Sequence, residues 1–175
     1  MAGHTENSVV INAARDLVWR ITNDVAAWPE LFSEYAAVQI LRTTGNTVRF
    51  RLTMRPDERG RVWQWVSERT ADPRTYTVHA HRVEPGPFEY MNIRWEFTEE
   101  NGATLMRWTQ DFQLRPDAPL NDAAMADRIN RNSAREMRRI KALIEAVADR
   151  DRRASTASQP GQRQQRREQA QTWRS

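Results

Sequence analysis

Between Val62 and Arg69 the chain alternates, so Trp63, Trp65, Ser67 and Arg69 share one face of an extended segment. Val62, Gln64, Val66 and Glu68 take the other. An arginine on an otherwise aromatic face is a chemical problem, because its guanidinium cannot shed its charge and burying it unpaired is costly. Neighbouring segments repeat the pattern. Tyr76, Val78, Ala80 and Arg82 fall together, as do Met91, Ile93, Trp95 and Phe97; Met106, Trp108, Gln110 and Phe112; and Phe50, Leu52 and Met54. The resulting wall is Trp, Phe and Met with a few polar groups: Ser67, Arg69, Arg82 and Gln110. An apolar concavity with convergent polar groups suits a small-molecule site. The alternative is an ordinary core, with Arg69 and Arg82 at strand ends reaching water.

Other chemistries find no footing. His79 and His81 have the spacing of two metal ligands, but on the outward face and without a third, so they read as a surface pair and no metal is expected. No nucleophile elbow, phosphate loop or dinucleotide fingerprint occurs. The absence of cysteine excludes disulfides, thiolate zinc sites and a cysteine nucleophile.

The elements that must position the wall follow from turn chemistry and periodicity. Ser8 to Ala13 reads as a strand, Arg15 to Trp28 as a helix, and Pro29 opens a second short helix reaching Tyr35. Six strands are expected next: Val38–Arg42, Thr47–Arg55, Arg61–Thr70, Tyr76–Glu84, Tyr90–Glu99 and Thr104–Arg115. Their separators, such as Gly45-Asn46, Asp72-Pro73 and Asn101-Gly102, are short, which implies an antiparallel meander. Asp122 is placed to cap a long helix to about Asp149, with Met125, Ile129, Ser133, Met137, Ile140, Ile144 and Val147 as its inward stripe. The arginines at 128, 131, 135, 138 and 139 form its solvated face. One long helix over a curved antiparallel sheet is an α+β arrangement, with a hollow expected between the two.

A pI of 10.2 raises the question of nucleic acid. Residues 151–175 carry six arginines against Asp151 and Glu168, which leaves 21 basic and 21 acidic residues in 1–150. A duplex binder is expected to carry its charge on the folded surface, so no nucleic-acid role is assigned. The expected organisation is one domain, 1–150, and a disordered basic tail, 151–175. The sequence shows no leader pattern and no run of about 20 apolar residues, so a cytoplasmic protein without a membrane segment is expected.

Three strings are more specific than any short motif. Trp28–Tyr35 (WPELFSEY), Gly60–Arg69 (GRVWQWVSER) and His81–Asn92 (HRVEPGPFEYMN) resemble the single-domain aromatase/cyclases of bacterial type II polyketide synthases, of the tetracenomycin and spore-pigment type. The resemblance spans about residues 5–150 and implies a helix-grip (START or Bet v 1-like) fold, with seven curved strands around a long C-terminal helix. It also implies first-ring aldol closure, C9–C14 in the tetracenomycin type, and dehydration of a poly-β-ketone borne by an acyl carrier protein. The ketosynthase/chain-length factor would be a further partner, and no cofactor is implied. By position, Arg69 and Tyr35 would be the catalytic pair. Trp28, Phe32, Trp65, Ser67, Arg82, Met91, Trp95, Trp108, Gln110 and Glu136 would bind substrate. At position 136 members of the family can carry an amide, which leaves the part played by Glu136 open between chemistry and pairing with an arginine. The competing reading is a non-catalytic carrier of a lipid or other small molecule on the same fold.

Overall fold

The computed structural model describes residues 2–158. In chain order the elements are β1 (Gly3–Ile11), α1 (Arg15–Asn23), a 3-10 turn (Val25–Ala27), α2 (Trp28–Leu31), β2 (Tyr35–Thr44), β3 (Thr47–Met54), β4 (Gln64–Asp72), β5 (Thr77–Arg82), β6 (Phe88–Glu100), β7 (Ala103–Leu114) and α3 (Asp122–Ala157). The strands form one sheet in the order β1-β7-β6-β5-β4-β3-β2, every pair antiparallel. Turns hold the meander from β2 to β7, with a nine-residue loop, 55–63, between β3 and β4. At Asn101-Gly102 both residues take positive φ, 50° and 81°, which suits a tight hairpin. Because β1 pairs with β7, the helical segment from β1 to β2 must carry the chain from one sheet edge to the other.

Several boundaries differ from the sequence reading, each for a local reason. β1 starts at Gly3, because nine residues pair with β7 and their alternation carries Thr5 and Asn7 as well as the aliphatic positions. α1 stops at Asn23, whose amide bonds back to the Trp19 carbonyl at 2.8 Å and competes with the next helical turn. β4 starts at Gln64. Asp57 Oδ1 accepts from the backbone N–H of Arg59 and Arg61, both at 2.9 Å, and folds residues 57–61 into a loop. Trp63 therefore stands outside the inner wall, 49 % exposed. Tyr76 sits at the margin of the core, half-buried in the β4–β5 turn at φ 52°. There its hydroxyl donates to Asp16 and its ring meets Trp19 edge-on.

At α3 the cap is Asn121, whose side chain accepts from Ala124 N at 2.8 Å, while Asp122 Oδ1 accepts from Leu114 N at 2.8 Å. The helix continues to Ala157, past the expected end at Asp149 and into the segment read as tail. Residues 159–175, the rest of that segment, lie outside the described residues. Its buried face is Ser133, Glu136, Met137, Ile140, Ile144 and Ala148, packed over β1. Ile140 and Ile144 are fully buried, worth about 1.5–3 kcal/mol each. Among the described residues no helix is long and apolar enough to cross a membrane, and no group of three His, Asp or Glu side chains could hold a metal ion.

Candidate functional site

The inward residues of β4, β6 and β7 and the α2–β2 segment meet as an aromatic nest. Cross-strand partners Trp95 and Trp108 stack at 4.6 Å and 14°. Trp28 stacks on Trp95 at 5.8 Å and on Tyr35 at 6.1 Å. Phe32 lies 4.9 Å from Tyr35, 6.0 Å from Trp108 and 6.4 Å from Trp95. Trp65 meets Tyr35 edge-on at 6.4 Å. These rings occupy part of the space read from the sequence as a hollow. Apolar rings that face one another gain dispersion and lose hydrated surface by closing the gap.

Arg69 projects from β4 into this nest and is 3 % exposed. Its Cζ lies 4.3 Å from the centre of the Trp95 ring and 5.2 Å from that of Trp28. Among the described residues its guanidinium donates one hydrogen bond, from Nη2 to Asn23 Oδ1 at 2.7 Å. Among the described residues no carboxylate pairs with it. Cation–π contacts of about 2 kcal/mol when desolvated and one amide oxygen hold a charge that water no longer solvates. Burial pushes the guanidinium down to about 9, which leaves it a cation at neutral pH. Burial, and secondarily the neighbouring Glu34 charge, pushes the Tyr35 hydroxyl well above the usual phenol range. Tyr35 is therefore a donor at neutral pH and not a phenolate base.

A second cation flanks the nest. Arg82 is clamped between Trp65, 4.0 Å from its Cζ, and Phe88, 4.9 Å away, and burial brings it down to about 10. Ser67 pairs across the ladder with Arg82 and Phe50 and is buried. Trp108 adds a buried indole N–H with no hydrogen-bond partner among the described residues.

Three of the residues named from sequence stand apart from the nest. Met91 packs with Phe88, Phe112 and Leu114 in a separate cluster under Met125 and Ile129. Gln110 turns to α3, its amide 3.4 Å from Ser133 Oγ. Glu136 is fully buried, but its carboxylate is engaged by the backbone N–H of Ser33 at 2.9 Å and by the Ser33 hydroxyl. Sequence reasoning missed Asn23, Ser33 and Arg139. Arg139 is not simply solvated: it donates to the carbonyls of Leu31 at 3.2 Å and Glu30 at 3.0 Å. These contacts join residues 46 to 109 positions apart, and no local spacing announces them. On the opposite face of the sheet Glu68, Thr70, His79, His81, Asn92, Arg94 and Asp111 line an open groove of about 340 Å³. Its charges are mixed and solvated and converge on no point.

Comparison with known proteins agrees with this geometry. Residues 2–145 match the family model described as polyketide cyclase / dehydrase and lipid transport. A protein of Streptomyces cyaneus named as a polyketide cyclase is 60% identical over 148 residues, 85% of this chain and 97% of that one. A second, from Streptomyces halstedii, is 61% identical over 108 residues, 62% of this chain and 99% of its own. In fold, the chain is similar to the Zhui aromatase/cyclase from Streptomyces sp. R1128, with a TM-score of 0.72, 22% identity, and coverage of 89% of this chain and 98% of that one.

Proposed function

Because the chain belongs to the polyketide cyclase / dehydrase and lipid transport family, we propose that it is an aromatase/cyclase that closes and aromatises the first ring of a poly-β-ketone. The observation that carries this reading is a buried guanidinium, without a carboxylate partner among the described residues, held between tryptophan faces. A carrier of apolar molecules needs only an apolar lining, and a desolvated cation is a cost with no return in such a role.

A methylene between two ketones is already acidic, so its enolate forms without a strong base. The harder task is choosing one carbon–carbon bond among several, which a shaped pocket does by holding one near-attack fold of the chain. Arg69 binds a ketone oxygen and stabilises the negative charge that develops on it, more strongly in a dry interior than in water. Attack of the enolate carbon on the second ketone forms the new bond and turns that oxygen into an alkoxide. The methylene proton lost in forming the enolate passes to water; Tyr35 donates its own proton to the alkoxide and is reprotonated by the one released, and the new hydroxyl and an α-proton then leave together as water.

Trp28, Phe32, Trp65, Trp95 and Trp108 are the plates between which the planar chain lies, parting from one another to admit it. Arg82, Ser67 and the free indole N–H of Trp108 take further oxygens, with Gln110 and Met91 bordering the far end. The closure is C9–C14, and the substrate arrives on an acyl carrier protein from a ketosynthase/chain-length factor. No cofactor enters.

The test is Arg69→Ala, incubated with minimal synthase components while ring regiochemistry is profiled. The expected result is a folded variant whose products shift towards spontaneously cyclised chains. Unchanged regiochemistry would remove Arg69 from the mechanism.

A further inference from the structure

The segment that carries Phe32 and Tyr35 into the nest is tied down by side chains from outside it. From Glu30 to Glu34 its polar backbone is held at nearly every position. Arg139 takes the carbonyls of Glu30 and Leu31 at 3.0 and 3.2 Å. Phe32 N closes α2 on the Trp28 carbonyl at 2.8 Å. Glu136 takes the N–H and hydroxyl of Ser33. Arg55 Nε holds the Ser33 carbonyl at 3.1 Å, and Arg55 N the Glu34 carbonyl at 2.8 Å. Arg135 bridges the two acids, 3.8 Å from Glu34 and 3.4 Å from Glu136.

Of these anchors only Glu136 is an interior one. It is 1 % exposed, and both its oxygens are spent on Ser33 and Arg135. Ser33 lies between two residues whose rings pack into the nest, so a carboxylate fixed on α3 sets where Phe32 and Tyr35 stand. Charge-assisted hydrogen bonds of this kind are short and directional, which suits a positional constraint.

We infer that Glu136 is a positioning residue, which acts through Ser33 to place the Tyr35 hydroxyl and the Phe32 ring against the bound chain and does not itself touch the reacting atoms. The inference rests on the cyclase reading for its consequence, but the strap itself can be measured without activity.

The experiment compares Glu136→Gln, Glu136→Ala, Ser33→Ala and the double variant Ser33→Ala/Glu136→Ala. It follows amide hydrogen exchange over residues 30–36, melting temperature, and the ratio of correctly to spontaneously cyclised product. Glu136→Gln keeps an acceptor for Ser33 and should retain most of the correct product. Glu136→Ala should speed exchange in the strap at least tenfold and lower the product ratio three- to tenfold. The double variant should be no worse than Glu136→Ala, because Ser33→Ala removes only the hydroxyl half of a contact that Glu136→Ala already abolishes.

Equal loss in Gln and Ala would overturn the inference and assign the carboxylate a direct chemical part. Faster exchange with an unchanged product ratio would overturn it too, since the strap would then be structural only. Should Glu136→Ala fail to fold, Ser33→Ala makes the comparison from the other side: it removes the hydroxyl bond, keeps the N–H bond, and should shift exchange and product ratio in the same direction by less. If the wild type directs no cyclisation, the cyclase reading falls; the exchange data then show separately whether Glu136 holds the strap.

Discussion

A guanidinium with one amide partner depends heavily on that partner. Among the described residues Asn23 Oδ1 is the one acceptor for the Arg69 guanidinium, and Asn23 is itself fixed by its bond to the Trp19 carbonyl at the end of α1. Hydrogen bonds to charged groups contribute about 1.5–3 kcal/mol, so Asn23→Ala should destabilise the fold by roughly that amount, read from urea unfolding. It should also loosen regiochemistry, less than Arg69→Ala does; an Asn23→Ala variant of wild-type stability and product profile would show that the contact does not hold the cation. Glu34 makes a second residue-scale prediction. Burial, then the neighbouring Glu136 charge, raises its carboxyl above 4.5, the effect outweighing Arg135, Arg128 and Arg82. A raised acid favours the fold when protonated: this stabilisation is full below the unfolded value and is lost as pH rises through the folded one. Glu34→Gln, neutral throughout, should therefore match the wild type at pH 4 and gain on it in melting temperature towards pH 7. A gap that shrinks over that range would give the shift the wrong sign.

At the scale of elements, strand alternation made most of the nest legible. Ser67, Arg69, Val78, Met91, Trp95, Phe97, Met106, Trp108 and Phe112 are inward because a period of two leaves a strand no choice once one face is buried. The reading failed where a strand ended sooner than its alternation. Trp63 and Tyr76 keep the pattern in sequence, and their carbonyls still accept from Met54 N and Phe97 N, but Trp63 follows the folded loop 57–61 and is exposed, and Tyr76 turns at positive φ between β4 and β5. Glu136 is named only through the resemblance: the inward stripe read from periodicity passes from Ser133 to Met137 and omits it, although it lies at helical spacing from Ser133 and Ile140. Contacts such as Arg139 to Glu30 were not legible, since only the docking of α3 beside α2 creates them. β1 offers a test of this level. A Cβ on Gly3 would lie well inside contact distance of Phe112 Cζ on the paired strand. Gly3→Ala should therefore cost about 1–3 kcal/mol through overpacking, visible as a lower denaturation midpoint. Stability equal to wild type would mean that Phe112 has room to move aside.

For the whole molecule, the basic pI and the compact core belong to different stretches of chain. Residues 1–150 carry equal numbers of acids and bases, and the family match ends at residue 145. The helix that closes the sheet runs on to Ala157, so a cut at 150 removes part of a helix and confuses two effects. Truncation after Ser158 avoids this: it deletes Arg163, Arg166, Arg167 and Arg174 together with Glu168, and leaves α3 whole. The interior packing of α3, from Ser133 to Ala148, lies well inside the retained chain. The truncated protein should keep its melting temperature and the regiochemistry of its products, while salt-dependent retention on an anionic matrix drops sharply, because a nearly neutral body has few counterions to release. Loss of cyclisation with an unchanged melting temperature would instead place part of the working surface in residues 159–175, most directly as a dock for an acidic carrier.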